Sequence, residues 1–311
     1  MELKTDLVKW VFIVNPAAGG GKAEKLCKDA EKLMQAANID YERFNTTKAG
    51  DAEDITMKMI SRGYRFFLVG GGDGSLNEVL QGIMQQNAVP SNSIVISQLP
   101  VGTGNDWRRT HRFPTGIRKS IEMLHCKNVI LQDVGKITYP SEPQRTDWFI
   151  NSAGVGFDAA VAFDANEKKK LGKTGLLVYL AALIRQLFNY KEPLVELEIQ
   201  GQKESFEGFT VLAGLGKYAG SGMKLIPHAG LNDGFISVIM VKKISRLKII
   251  FNLVSLFTGG FTRLKEVSVF KCNSINIKSS PCQSLQIDGE SRGQTPFSIQ
   301  VIPAAVGVLV C

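Results

Sequence analysis

Phe66-Phe67-Leu68-Val69-Gly70-Gly71-Gly72-Asp73-Gly74-Ser75-Leu76-Asn77-Glu78 carries the decisive reading of this chain. An apolar run, the mark of a buried strand, breaks into glycines, and a helical pattern follows from Ser75 to about Gln86. Glycines between a strand and a helix let backbone N–H groups approach an anion without interference from Cβ. The start of the helix adds unpaired donors and a positive dipole end. A phosphate is held in this way. Asp73, the lone acid of the loop, would repel a phosphate unless a cation or proton donor lay between them, which points to Mg²⁺ with a nucleotide.

Working outward, strand and helix patterns alternate through residues 1–132, as a parallel α/β domain requires. Strands are expected at Trp10–Val14, Tyr41–Asn45, Phe66–Val69 and Ile94–Leu99. Helices are expected at Gly21–Ala37, with Leu26, Ala30, Leu33 and Met34 on the apolar side, at Ala52–Ser61 and at Ile117–Leu124. From Asp133 short alternating runs take over, at 133–138, 148–152, 194–200, 206–215, 235–241, 267–270, 274–277 and 285–287. Turn residues separate them, the pattern of an antiparallel sandwich over 133–302. The stretch 138–147 reads as a hairpin tip or loop at the domain boundary. Runs at 297–302 and 306–310 close the chain, and residues 303–311 are expected to pack back on the first domain. Two helices interrupt the β region, Thr174–Tyr190 and Ser245–Thr258.

The chain has 311 residues, 44% hydrophobic and 21% charged, and a formal net charge of +8. Such length allows two domains with real cores. The longest apolar run, Leu176–Ile184, is far short of the ~20 residues that span a bilayer. Glu2 and Asp6 argue against a signal peptide. Five cysteines without CxxC spacing read as reduced thiols of a cytosolic protein. A basic excess suits a polyanionic partner, nucleic acid or an anionic membrane surface. Nucleic acid is disfavoured, since no zinc spacing, RNP-like aromatic run or long basic helix is present.

Three further segments carry glycines and polar groups. Asn15-Pro16-Ala17-Ala18-Gly19-Gly20-Gly21-Lys22 ends the first strand. It is no Walker A loop, because Ala23 follows Lys22 where a hydroxyl is required. Beside a second glycine loop it sits where parallel sheets bind ligands, outside the carboxyl ends of the strands. Pro100-Val101-Gly102-Thr103-Gly104-Asn105-Asp106 also follows a strand, and alone it reads equally as an Asx-rich turn. Ile287-Asp288-Gly289-Glu290 contains Asp-Gly, by itself the ordinary hairpin turn. Functionally, an aspartate there could take the proton of an alcohol in phosphoryl transfer, which needs positioning, Mg²⁺ and one carboxylate.

In this order the motifs resemble the diacylglycerol kinase catalytic family, in particular its bacterial soluble lipid kinases, which are similar to sphingosine and ceramide kinases. Pro227-x-Ala229-x-x-Asn232-Asp233-Gly234 extends the match, so that it covers nearly the whole chain. The first two motifs are shared with phosphofructokinases and NAD kinases; the ordered set is more specific. The resemblance implies a phosphofructokinase-like nucleotide domain, a β-sandwich lipid domain and an active site in the cleft between them. It implies ATP at Asn15, Thr46, Gly71, Gly72, Asp73, Gly74, Ser75, Leu76, Asn77, Thr103 and Glu290. Asp288 would be the general base. Lys22, Asp73, Asp106 and Asp133 would form a charged network linking the phosphates to a Mg²⁺ site. That structural Mg²⁺ would lie on Asp233 and the carbonyls of Gly230 and Phe235. Ser75 replaces the more usual threonine, extra glycines precede Lys22, and Arg108 is an additional arginine, reaching phosphate or simply solvated.

His111, His125 and His228 share no metal-ligand spacing and read as surface or loop residues. The two interrupting helices read as core-packing or as lipid-facing. The expectation is therefore a cytoplasmic lipid kinase of phospholipid metabolism, peripheral to the membrane and acting on diacylglycerol or a related lipid alcohol. The alternatives are a soluble sugar or NAD kinase and a non-catalytic nucleotide-binding regulator. Monomer and homodimer are equally open.

Overall fold

A computed structural model of the chain describes residues 8–170 and 176–311. Glu2, Asp6 and Thr174 lie outside the described residues, as do the side chains of Lys169, Lys170 and Leu176. The chain divides into two compact units, Met1–Asp133 with Ala304–Cys311, and Val134–Pro303.

In the first unit β1 (Lys9–Val14), β2 (Asp40–Asn45), β3 (Phe66–Gly70) and β4 (Val95–Gln98) run parallel in the order β2-β1-β3-β4. The end of β15 (Phe297–Val310) adds a further parallel strand beside β4, with Gly307 opposite Val95. Strands β1, β3 and β4 are almost wholly buried, as strands covered on both faces must be. Helix α1 (Ala23–Ala36) buries Ala23, Cys27, Ala30 and Met34, one stripe at helical spacing. Helices α2 (Asp51–Ser61), α3 (Asp73–Gln85), α4 (Asp106–His111) and α5 (Ile117–Glu122) complete the unit.

The second unit is antiparallel. Strands β5 (Asn128–Tyr139), which enters it from the first unit, and β6 (Glu142–Phe149) form a hairpin. One layer joins β7 (Ser152–Gly156), β9 (Gln202–Gly214), β10 (Ile236–Lys242), β11 (Val267–Cys272), β13 (Ser284–Ile287) and β14 (Glu290–Gln294), in the order β14-β13-β7-β9-β10-β11. In the other, β8 (Leu194–Ile199) bridges the first half of β9 to β12 (Ser274–Ser280), and β12 pairs with the start of β15. Phe149, Val155, Leu197, Val238, Ile277 and Phe297 fill the core between the layers. A second apolar cluster joins the outer face of β9 and β10 to helices α6 (Phe157–Lys170), α7 (Leu176–Asn189), α8 (Arg246–Phe251) and α9 (Leu253–Thr258). The two-residue period sorts β10: Val238 and Met240 enter the core, Ile239 and Val241 the outer cluster.

Five expectations need correction. Residues 138–147 are the end of a hairpin whose tip is short, not a loop, because β5 and β6 pair from Gly135–Phe149 to Tyr139–Glu142, leaving only Pro140 and Ser141 as the turn. The last two runs are one strand, with Ala304 in the left-handed region at φ 49° just after Pro303. The 245–258 helix is two helices broken at Asn252. Helix α6 is absent from the sequence reading because Asp158 and Asp164 interrupt its apolar stripe, yet both are buried. Cys126 and Cys311 are not free thiols. The returning strand brings their α-carbons to 5.6 Å and they are disulfide-bonded, while Cys27, Cys272 and Cys282 are free. A bridge between residues 185 apart in sequence has no local signature, and it removes the compositional argument for a reducing compartment.

Candidate active site

Three strand-end loops of the first unit meet backbone to backbone. A Cβ on Gly19 would lie 2.5 Å from the Val101 carbonyl oxygen, and one on Gly102 would lie 2.4 Å from the Gly72 α-carbon. No side chain fits at either position, so glycine is demanded by contact as well as by the φ of 60° at Gly19. Asn15 ties the first loop to the second, its Nδ2 donating to Ser75 Oγ at 3.2 Å while its Oδ1 accepts from Ala17 N at 3.1 Å. Gln98 Nε2 donates to the Gly71 carbonyl at 3.1 Å, which binds the end of β4 to the glycine loop. Thr46 is held beside them by its amide, which donates to Val14 O at 2.8 Å. Lys22 is exposed between a 3₁₀ turn and α1, and Thr103 is exposed on the third loop. Leu76 and Asn77 are fully buried in α3, with Asn77 Oδ1 accepting from Gln81.

Helix α3 begins at Asp73, two residues earlier than its pattern indicates, and this re-assigns the acid. The Asp73 carboxylate accepts from Asp106 N at 3.1 Å and Trp107 N at 3.4 Å, the first amides of α4. A carboxylate at a helix N-terminus satisfies orphan donors and meets the positive dipole end. Asp73 thus has a cation-free reason to be charged, so its presence alone does not argue for Mg²⁺. Arg108 is neither solvated nor an evident phosphate ligand. It is buried, burial pulls its guanidinium down to about 10, and Asp73 opposes that shift. Arg109 remains exposed, with Nε 3.8 Å from Asp106 Oδ1. Asp133 Oδ1 accepts from Ala304 N at 2.8 Å, fastening the last strand. Contrary to the surface reading, His111 stacks on Phe113 and packs at a tilt against Trp107, and Gln132 Oε1 receives both Trp107 Nε1 at 3.0 Å and His111 Nε2 at 2.8 Å. Burial lowers the His111 imidazole to about 4, so it is neutral near pH 7.

In the second unit Asp288 occupies the β13–β14 turn at φ 47° and is buried. Its carboxylate accepts from Ile150 N at 3.0 Å, Asn151 N at 3.0 Å and Ser152 N at 2.9 Å, and its own amide donates to Ser152 O at 2.8 Å. Three amides from the segment that opens β7 therefore orient this acid. Glu290 follows at the start of β14, half-buried. Gln286 links the turn to α6: its Oε1 accepts from Gly289 N and its Nε2 donates to Asp158 Oδ2, both at 2.8 Å.

Asp158 in turn lines a largely apolar cavity that is partly open to solvent. Phe157, Leu183, Phe209, Leu225, Ile249 and Leu256 supply much of its wall, and among the described residues Asp158 is the one charged group lining it. Burial pushes the Asp158 carboxyl up to about 6, against hydrogen bonds from Gln286 and Tyr179 that favour the anion. Asp158 and Gln286 escaped the sequence reading. The available signal was an acid directly after the glycine-spaced strand Gly154-Val155-Gly156-Phe157.

The metal assignment meets a competing cation. Asp233 Oδ1 accepts from Phe235 N at 3.1 Å, and Oδ2 pairs with Lys271 Nζ at 2.5 Å. Among the described residues no group of three or more His, Cys, Asp or Glu could hold a metal ion. An ammonium already neutralises the single carboxylate of the Gly230–Phe235 loop, so the loop as arranged does not fit a divalent cation.

Comparison with known proteins follows this division. Residues 9–137 match the diacylglycerol kinase catalytic domain, and residues 151–310 match the YegS C-terminal NAD kinase beta sandwich-like domain. Diacylglycerol kinase of Staphylococcus carnosus is 30% identical over 289 residues, covering 92% of this chain and 89% of the relative. The Staphylococcus saprophyticus enzyme is 29% identical, covering 92% and 90%. The crystal structure of a diacylglycerol kinase from Bacillus anthracis superposes with a TM-score of 0.79 at 26% identity over 99% of both chains. These matches, on a parallel α/β unit followed by a β-sandwich-like unit, define the class as a phosphotransferase. Within that class, the chain belongs to the diacylglycerol kinase family, with a YegS-like C-terminal domain. Membership of a kinase family carries ATP with it as phosphoryl donor.

Proposed function

We propose that this protein transfers the γ-phosphoryl group of ATP to the hydroxyl of diacylglycerol or a related lipid alcohol. The observation that carries the lipid reading is a cavity whose lining is apolar except for a few groups such as Asp158. Its apolar lining suits an acyl chain, whereas a sugar or NAD acceptor would need many polar partners there. The names of the staphylococcal relatives and the Bacillus anthracis structure favour the same acceptor.

In this reading the loops at Asn15–Lys22, Gly70–Ser75 and Gly102–Asp106 receive the phosphates through backbone N–H groups, with Thr46 and Thr103 at their margin. Asp73 and the buried Arg108 hold the third loop in place through α4. Asp288 accepts the proton of the attacking hydroxyl, with its orientation set by the three amides that grip it. The acceptor's polar end lies toward Asp158, which Gln286 connects to the Asp288 turn, and the acyl part fills the cavity. Mg²⁺ accompanying ATP would supply charge neutralisation at the phosphates.

Purified protein with labelled ATP should phosphorylate a lipid alcohol and neither sugars nor NAD. Asp288→Asn should abolish that turnover while ATP affinity changes less than about threefold, because the residue acts on the acceptor. Label in NAD or sugar, or an Asp288→Asn enzyme with most of its turnover, overturns the proposal.

A further inference from the structure

We infer that the outer face of the α8–α9 pair is the surface on which this protein docks to a bilayer containing anionic lipid. The inference rests on the lipid-kinase reading for its occupant and on the following geometry for its location.

Within this short stretch Leu247 is 67% exposed, Phe251 83% and Val254 78%, with Ile250 and Phe257 also exposed. Aliphatic and aromatic side chains of this size gain free energy on leaving water. Several left in water side by side mark a surface that something covers. The opposite side of the same pair is also apolar, for Ile249 and Leu256 line the cavity. A helix apolar all round is one that is enclosed on all sides. Here the protein encloses one side only.

Helix α7 repeats the arrangement. Leu183 and Tyr179 face the cavity, while Leu177 is 81% exposed and Phe188 66%. The two elements are neighbours, since Arg246 at the start of α8 donates to the Tyr190 carbonyl just past α7 at 2.6 Å. The walls of the proposed acyl cavity therefore carry the exposed apolar residues on their outer faces. A bilayer against this face would present its hydrocarbon to the helices that bound the cavity.

Charge selects the bilayer over a second copy of the chain. Arg246 and Lys248 are engaged by Glu192 and Glu266. Arg263 and Lys265, just beyond α9, are exposed and make no ion pair among the described residues. Cations at the edge of an apolar face attract anionic headgroups. A twofold-related copy would instead bring the same cationic edge to its own patch.

The test is co-sedimentation of the full chain, without ATP, with vesicles of phosphatidylcholine alone or mixed with phosphatidylglycerol. The wild-type chain should partition onto the mixed vesicles. The Phe251→Glu, Val254→Glu double substitution should weaken partitioning more than about tenfold, and Arg263→Glu with Lys265→Glu should abolish the preference for phosphatidylglycerol. Both pairs are exposed, so the thermal midpoint should stay at the wild-type value, and turnover of a water-soluble short-chain diacylglycerol should survive. Unchanged partitioning by the double-glutamate variant overturns the inference. A wild-type dimer that this variant converts to monomer, with no vesicle binding by either, overturns it too. Because no ATP is present and binding is read without turnover, failure to phosphorylate lipid would strike the functional reading and leave this result standing.

Discussion

Asp73 and Asp158 show how far a residue's meaning depends on its neighbours. Asp73 looks like a metal or phosphate-site acid in one dimension, and its carboxylate goes to two amides of α4. Asp158 looks unremarkable in sequence and is a buried carboxyl held at about 6 beside an apolar cavity. That shift has a consequence for stability. The folded state keeps the Asp158 proton between about pH 4 and pH 6, where the unfolded chain has released it, so the raised value stabilises the fold at low pH. The contribution is lost as pH rises through about 6, by about 3 kcal/mol for a shift of this size. Asp158→Asn should therefore gain stability over wild type between pH 4 and pH 7, read from urea midpoints. An Asn–wild-type difference that stays flat across that range would show the carboxyl to be ordinary.

At the scale of elements, the long periodic segments were legible and the short interrupted ones were not. The strands of the parallel sheet and helices α1 to α3 followed from apolar spacing within a few residues, because their burial pattern is set locally. Helix α6 was hidden because its buried acids mimic a solvent face until Gln286 and Arg185 are seen to partner them. The Gly230–Phe235 loop belongs here too. Its resemblance motif implied a cation site, yet Lys271 of β11 arrives from 38 residues away to hold Asp233. Lys271→Met should release that carboxylate, so that millimolar Mg²⁺ raises the variant's melting temperature by a few degrees and leaves wild type unmoved. Mg²⁺ stabilisation of the wild-type chain equal to that of the variant would show that the ammonium does not compete.

Across the whole molecule, the return of the C-terminal strand decides the architecture of the first unit. Residues Ala304–Cys311 lie beside β4, Asp133 receives the Ala304 amide, and Cys311 bonds to Cys126. A cross-link between distant residues restricts the unfolded chain, typically by 2–4 kcal/mol. Cys126→Ser with Cys311→Ser should lower the unfolding free energy by about that amount, and dithiothreitol should lower the wild-type chain toward the same value without affecting the variant. Equal sensitivity of both to reductant would place the effect elsewhere.

Local order along the chain determined the family, the parallel sheet with its glycine-ended strands and the antiparallel second half, because periodicity, turn chemistry and motif succession are properties of neighbouring residues. Which glycines touch, which acid caps α4, what neutralises Asp233, where an apolar cavity opens and which cysteines join were decided only in three dimensions. Each depends on groups far apart in sequence, and burial and hydrogen-bond partners are set by who arrives alongside.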